Sequence, residues 1–386
     1  MARRPSPRNA ILVAITFVLV LGAMVGFLAT RLGLVRLYPR AARRTSTYVR
    51  QPGRLYSAVE LATSWANGVA PRRSDLQGHP VLVVVWSDTY PEGIGALASA
   101  EEIRDAYEPL GIRVIGVHEP DFSFAADTAV VAHAARRAGA RFPIALDPAG
   151  RIAASLGIRN TRSASLLADT HGALGPIHGG ERGIAMSESD VRDAIAALNP
   201  NARFPGDGAV AAEAEDPPAT RAIYLGVGRA DEGPIATAHA GSAQPFTAQF
   251  RFEVEGKSFV PYPVGWWTPG ADGLTSAHGG AATYIALRYE DGALDGVISP
   301  PPASPSGQGH ARVWILSDER WLPSQALGSD ARLDPRGASY VDVDEPRLYH
   351  LARGSGAHEV KLSPDAPGVT FHALLVEPAG AVSQAP

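Results

Sequence analysis

The sequence contains no cysteine, and this absence limits its chemistry more than any other feature of its composition. Dithiol exchange needs one thiolate that attacks and a second sulfur that resolves the mixed disulfide. This polypeptide alone therefore cannot carry a thiol–disulfide or thiol-peroxidase reaction. The same absence excludes disulfide cross-links, and it gives no information about the redox compartment.

An excess of basic residues is also missing. Lys and Arg number 35 and Asp and Glu 39, for a net charge of −4, so no nucleic-acid partner is expected. The histidines are scattered, without the paired spacing that predicts a zinc site. Asp342, Asp344 and Glu345 have the chemistry of calcium ligands, but carboxylates beside Pro346 are common at strand ends. We therefore expect no metal and no cofactor.

A long uncharged apolar stretch lies near the amino terminus, between Arg8 and Arg31. A helix rises ~1.5 Å per residue, so this stretch is long enough to cross a ~30 Å hydrocarbon layer. It predicts a transmembrane helix at about residues 10–30, within a membrane anchor over residues 1–45. A cleaved signal peptide is the alternative, but its apolar core is usually only ~7–15 residues long.

The residues in and around this stretch raise two further points. More arginines follow it than precede it, and a positive-inside count alone places the carboxyl side in the cytoplasm. Gly22 and Gly26 form a Gly-x-x-x-Gly pattern that lets two helices approach closely. A weak homodimer through these glycines is one interpretation, although small residues often occur in apolar helices that do not dimerise.

The most informative stretch of the remaining chain is a run of aliphatic residues that leads into a polar turn. Val81 to Val85 is not interrupted by polar residues, which is typical of a strand covered on both faces, and Trp86 follows it. Strand-like and helix-like segments then alternate and close with a hairpin and a helix. This order predicts an α/β domain over residues 50–198.

A Val-rich strand, a Trp, a short turn and a helix, in this order, resemble the thioredoxin-like redoxins of the TlpA/AhpC-TSA-like superfamily. The turn of those proteins carries Cys-x-x-Cys, and Tyr90 and Gly93 occupy the two cysteine positions here. The cis-proline that such redoxins place opposite the turn is replaced by Arg162 or Ser163. Both halves of the redox site are absent, which implies a scaffold released from redox chemistry and without catalytic residues of that kind.

Two further strand-like runs are Val114-Ile-Gly-Val-His118-Glu-Pro120 and Phe142-Pro-Ile-Ala-Leu-Asp147. With the turn after Trp86, they resemble the thioredoxin-like part of the DipZ-type membrane proteins. Residues 220–230 and 341–351 resemble the carbohydrate-binding-module-like domain that follows it in those proteins. The multi-span electron-carrying domain of the full-length relatives has no counterpart here, and one predicted helix stands in its place.

The composition changes after residue 198. Residues 199–219 are rich in Pro, Gly, Ala and Glu and predict a linker. Residues 220–380 contain many short β-prone runs separated by turn residues, which predict a sandwich. The predicted fold is an α/β thioredoxin-like domain followed by an all-β jelly-roll-like sandwich, with one N-terminal transmembrane helix.

Candidate binding residues lie first at the turn and at the end of the neighbouring strand: Trp86, Asp88, Tyr90, Glu92 and His118. A carboxylate beside a histidine can act as an acid–base pair. The alternative is structural. In that interpretation Asp88 caps the following helix, Tyr90 fills the former cysteine pocket and His118 is a hydrogen-bonded residue at a strand end.

The second group of candidates is aromatic. Trp266 and Trp267 lie in a Pro/Gly-rich loop, where exposed rings can stack on the faces of sugar rings. Trp314, Trp321, Tyr262 and Tyr289 are further aromatic candidates. The alternative is that several of these residues close the core of the sandwich, since Trp314 lies within the apolar run from Val313 to Leu316.

These observations predict a single-span membrane protein whose two domains form a binding or scaffolding unit on the exported, periplasmic side of the membrane. The resemblance decides the orientation, because long domains translocate largely regardless of flanking charge. The expected partner is an envelope protein or a glycan. Alternatives are a redoxin-type enzyme that borrows a partner's thiol, a non-thiol activity at Asp88, Tyr90 and Glu92, and an envelope glycan-binding protein.

Overall fold

A computed structural model of the chain describes residues 51–159, 161–206, 208–209, 219–247, 257–303 and 309–378. The predicted transmembrane helix and the Gly22 and Gly26 contact lie outside these ranges. No helix within them is both long and apolar enough to span a bilayer.

The first part of the described chain is an α/β domain. Its strands are β1 (Trp65–Ala66), β2 (Val81–Trp86), β3 (Arg113–His118), β4 (Ile144–Leu146), β5 (Ser163–Ala168) and β6 (Leu174–Gly179). Its helices are α1 (Arg54–Val59), α2 (Arg73–Leu76), α3 (Pro91–Tyr107), α4 (Thr128–Arg137), α5 (Arg151–Leu156) and α6 (Glu181–Leu198). Short 3-10 turns follow α3 at Glu108–Leu110 and precede α4 at Ser123–Ala126.

The six strands form one mixed sheet in the order β1-β4-β3-β2-β5-β6. β2 pairs in parallel with β3 and antiparallel with β5, and all six of its residues are buried. Alternate residues of a strand point to opposite faces, so Leu82 and Val84 enter one core while Val81 and Val83 enter another. The prediction of a thioredoxin-like α/β domain is confirmed.

The second part is a large antiparallel β region. Its strands are β7 (Arg221–Tyr224), β8 (Gln244–Phe246), β9 (Tyr262–Pro269), β10 (Leu274–Ser276), β11 (Tyr284–Ser299), β12 (Ala311–Ser317), β13 (Arg320–Trp321), β14 (Arg332–Leu333), β15 (Ser339–Val343), β16 (Arg347–Pro364) and β17 (Thr370–Glu377). The main path of the sheet runs β14-β15-β12-β16-β11-β17-β10-β9-β8, with β13 beside β12 and β7 beside β17.

Strand β17 joins the two regions, because both of its faces are buried. Phe371, Leu374 and Val376 belong to the core of the β region. Ala373 and Leu375 belong instead to a smaller apolar cluster that includes residues of the α/β domain. The two predicted domains therefore share an apolar interface. The described first part of the predicted linker is also packed, since Phe204 lies against the α/β core.

Candidate functional site

The turn that carries Cys-x-x-Cys in redoxins runs from the end of β2 to the start of α3. Tyr90 precedes the helix in an extended conformation, and Pro91 is its first residue. Proline suits this position because the first turn of a helix leaves its N–H groups unpaired in any case. Ser87, Asp88 and Thr89 are buried, so the turn does not protrude into solvent.

Tyr90, at the first cysteine position, is held between the two regions and is only 5% exposed. Its hydroxyl donates to Asp121 Oδ2 at 3.0 Å and bonds to the hydroxyl of Tyr224 on β7. The guanidinium of Arg162 lies 4.3 Å from the centre of its ring. Burial, reinforced by the Asp121 charge, raises the pKa of Tyr90. The side chain is therefore a neutral, hydrogen-bonded phenol that fills the former cysteine pocket.

Gly93, at the second cysteine position, packs directly against the turn. A Cβ atom placed on it would overlap the carbonyl oxygen of Ser87 and lie 2.9 Å from the Ser87 nitrogen. It would also lie 3.2 Å from the Arg162 carbonyl oxygen. All three neighbours are backbone atoms, so no side-chain rotation makes room. The position has no space for a cysteine.

Arg162 and Ser163 lie opposite the turn, where the sequence comparison placed the former cis-proline. Ser163 is the first residue of β5 and pairs with Trp86. Arg162 Nη1 donates to the Thr220 carbonyl just before β7, and the same atom lies 3.7 Å from Glu92 Oε1. Arg162, at the position of that cis-proline, is here a contact between the two regions.

Asp88 and His118 do form the predicted carboxylate–histidine pair, with Asp88 Oδ1 2.9 Å from His118 Nε2. The ring of His118 meets Trp86 edge-on, with their centres 4.9 Å apart. The two side chains of the pair are only 1% and 0% exposed, so no substrate reaches them in this conformation. Asp88 bonds to His118 and does not cap α3 with its side chain, which corrects the capping interpretation.

The β region covers the turn through a polar joint centred on Asp121, which sequence analysis missed. Asp121 accepts hydrogen bonds from the hydroxyls of Tyr90 and Tyr224, and its Oδ1 lies 2.7 Å from Arg229 Nη2. Asp272 accepts a 2.8 Å hydrogen bond from the Ser123 N–H. No local signal marks Asp121, because its partner Arg229 is distant in sequence.

An apolar patch lies beside this joint. Tyr90 and Phe122 of the α/β domain pack with four residues of the β region: Val297, Leu348, Ala373 and Leu375. A second polar contact lies farther along, where Glu345 accepts from Arg137 of α4 and lies 3.2 Å from His133 Nδ1. Glu345, which has the chemistry of a calcium ligand, thus forms an ion pair between the two regions.

A cluster of ionisable groups lies on the same side of the β region. His350 Nδ1 is 2.9 Å from Asp295 Oδ1, and Asp295 is buried. Burial alone would lower the pKa of His350, but the Asp295 carboxylate outweighs it and raises that pKa to about 9. Burial and the Asp295 charge raise the pKa of Glu377, and the charge of Glu92 adds to this effect. Among the described residues, no group of three or more His, Asp or Glu side chains is placed to hold a metal ion.

This cluster predicts that stability decreases as the pH rises. His350 binds its proton more tightly in the folded chain than its ordinary value of 6.5, so its contribution is complete below about pH 6.5 and is lost as the pH passes about 9. The raised pKa of Glu377 acts in the same direction. Urea unfolding between pH 6 and pH 10 measures the effect. His350→Gln is expected to flatten the profile, while His171→Gln at an exposed site leaves it unchanged. A wild-type profile that is flat or rises would contradict the prediction.

The predicted aromatic site in the β region separates into two different environments. Trp266 and Trp267 are neighbours on β9, not loop residues. Trp266 is 46% exposed, while Trp267 is fully buried and its Nε1 donates to the Val264 carbonyl at 2.8 Å. The interpretation of Trp267 as an exposed sugar-stacking ring is therefore wrong. Neighbouring strand residues point to opposite faces, so only one of the pair can face solvent.

No family model matches the chain. The proteins named DipZ from Mycobacterium bovis and Mycobacterium tuberculosis are each 30% identical to it over 173 residues, which is 43% of this chain and 25% of each relative. The match thus spans about a quarter of the length of these relatives. The predicted similarity to DipZ is confirmed.

Solved structures include similar proteins of the thioredoxin class. A thioredoxin-like protein in the oxidized form has a TM-score of 0.34 and 25% identity, with 38% of this chain and 97% of that chain covered. A secreted Mycobacterium tuberculosis disulfide oxidoreductase has a TM-score of 0.30 and 18% identity, with 37% and 98% covered.

Proposed function

We propose that this chain is a non-catalytic binding or scaffolding protein built on a redoxin scaffold. The β region covers the face of the α/β domain at which redoxins carry their redox site, and this contact is the main support for the proposal. Tyr90 lies beneath Arg162 and is hydrogen-bonded to Asp121 and Tyr224, where a redoxin would present a thiol to its substrate. Catalysis at the turn would require this joint to open.

Opening the joint is energetically costly. It would expose the patch formed by Leu348, Ala373 and Leu375, at roughly 25 cal/mol per Å² of apolar surface. It would also separate Arg229 from Asp121, whose charges are partly buried and 2.7 Å apart. These contacts favour a rigid two-domain unit over an enzyme with an accessible turn.

The same proposal covers location. The uncharged residues between Arg8 and Arg31 would anchor the chain in the membrane, with a weak homodimer through Gly22 and Gly26. The domains would lie on the exported side, and the antiparallel region would be a jelly-roll-like sandwich that presents its outer face to an envelope protein or glycan. The uncharged stretch and the similarity to DipZ support this proposal.

A reporter fusion tests the location. With alkaline phosphatase fused after Pro386, activity is expected in the exported compartment, and the fusion should stay in the membrane fraction at high salt. A matched fusion of a reporter that is active only in the cytoplasm should be silent. The opposite pattern would favour the orientation that the arginine count predicts.

A redox assay tests the absence of catalysis. The purified full chain is expected not to accelerate insulin reduction by dithiothreitol or glutathione, because no sulfur nucleophile is present and the turn is buried. Asp121→Ala, which weakens the joint, should be equally inactive. Turnover above the protein-free rate, reduced in Glu92→Gln, would instead support the alternative of an enzyme that borrows a thiol.

A further inference from the structure

Three aromatic rings lie together on the outer face of the β region, on strands that do not form the joint. Trp314 of β12 and Tyr340 of β15 are opposite each other in the ladder, with ring centres 5.4 Å apart. Trp321 of β13 lies 6.0 Å from Trp314. We call these three residues the aromatic platform. Trp321 is 43% exposed, and the other two rings are partly exposed.

The core does not require these rings. The inward residues of β12, among them Val313 and Ile315, are fully buried in the core of the β region. Trp314 alternates with them and points to the other face. Aromatic rings that are grouped on a surface and not needed by the core are candidates for an interaction site.

The rim of the platform is basic. Arg312 lies 4.6 Å from the centre of the Tyr340 ring, and its Nε is 3.2 Å from Asp342 Oδ1. Arg332, opposite Tyr340 in the neighbouring ladder, is 70% exposed and lies 3.7 Å from Asp342 Oδ2. His310 Nε2 is 3.4 Å from the same carboxylate. One carboxylate thus faces three basic side chains, and positive charge remains available for a ligand.

We propose that the aromatic platform and its basic rim bind an acidic glycan. The C–H face of a pyranose ring is an apolar surface that can lie on an indole, while its hydroxyl groups point outward. A carboxylate on the sugar can accept paired hydrogen bonds from a guanidinium such as that of Arg332. The rings are tilted by 59° and 54° to one another, which suits the successive faces of a twisted chain.

Charge decides between this ligand and others. A neutral glycan or a proline-rich peptide would use the rings but make no use of the positive charge that Asp342 alone does not balance against Arg312 and Arg332. This inference rests on the part of the proposed function that makes a glycan the partner of the β region. It does not depend on the closed joint, because β12, β13 and β15 lie away from β7 and β17 in the sheet. A protein that failed the redox prediction could still bind a glycan here.

Calorimetric titration of the full chain with an oligogalacturonate tests the proposal. Trp321→Ala is expected to weaken binding about tenfold, which corresponds to ~1.4 kcal/mol. Arg332→Gln should weaken binding and reduce its dependence on salt. The matched control is Trp266→Ala, because Trp266 is exposed to a similar degree but lies on β9, which does not pair with any platform strand.

Thermal melting must show that the Trp321 variant remains folded, and Trp314→Phe, which keeps a ring, supplies a second variant expected to retain partial binding. Five results would overturn the proposal. The first two are no binding by the wild-type chain and binding unaffected by Trp321→Ala. The others are equal binding of a neutral malto-oligosaccharide, equal binding of polyglutamate, which would show attraction by charge alone, and displacement of the glycan by a proline-rich peptide at equal affinity.

Discussion

Gly93→Cys, which places a thiol at the second redoxin position, is expected to lower the free energy of unfolding by about 3 kcal/mol or more. The new Cβ would overlap the Ser87 carbonyl and crowd the Arg162 carbonyl, and neither backbone atom can move without shifting β2 or β5. Overpacking of this kind typically costs ~1–3 kcal/mol, and contacts with fixed backbone lie at the upper end or beyond. Urea unfolding monitored by circular dichroism measures the loss.

The matched control is Gly95→Cys, two residues along the same helix. A Cβ on Gly95 meets no atom within 4 Å, and glycine is a weak helix former, so this change should be neutral or stabilising by less than ~1 kcal/mol. Equal stability of the two variants would show that the turn adjusts freely. The expected difference also means that Tyr90→Cys with Gly93→Cys would not restore a redoxin site.

Trp267→Ala is expected to lower the free energy of unfolding by about 3–5 kcal/mol, the usual range for a large aromatic residue removed from a core. Trp267 is fully buried, packs edge-on against Phe371 with ring centres 5.9 Å apart, and belongs to the core of the β region. Removing the indole also leaves the Val264 carbonyl without the N–H that donates to it. Thermal and urea unfolding measure the effect.

Trp266→Ala is the comparison, with an expected change of no more than ~0.5 kcal/mol, because this residue is 46% exposed and is not part of the core of the β region. Two variants of equal stability would mean that Trp267 is not a core residue. Loss of glycan binding in Trp266→Ala, without unfolding, would return the sugar site to β9.

Local sequence patterns were sufficient for the α/β domain. The uninterrupted apolar run of β2 predicts a strand buried on both faces, and all six residues are buried. This feature depends on neighbours in sequence, so backbone propensity and apolar periodicity are enough to predict it. The replaced positions Tyr90 and Gly93 follow instead from the resemblance to redoxins, whose strand, turn and helix occur in the same order.

The apolar residues of β17 show where such patterns stop being informative. They predict a strand, but they do not identify what covers Ala373 and Leu375, which is the turn of the α/β domain. The same limit applied to Trp266 and Trp267, since only the orientation of β9 decides which ring faces the core.

Residue patterns and the resemblance to redoxins thus identify the thioredoxin-like domain and the β-rich region, and the absence of cysteine excludes thiol chemistry. Neither shows that the β region covers the turn after β2, or that the rings of Trp314, Trp321 and Tyr340 lie together; both follow from the packing of distant residues. Asp121 and Arg229 illustrate the physical reason: their 2.7 Å ion pair joins residues more than a hundred positions apart. Contacts of this kind depend on how the α/β domain and the β region pack against each other, and no local propensity specifies that packing.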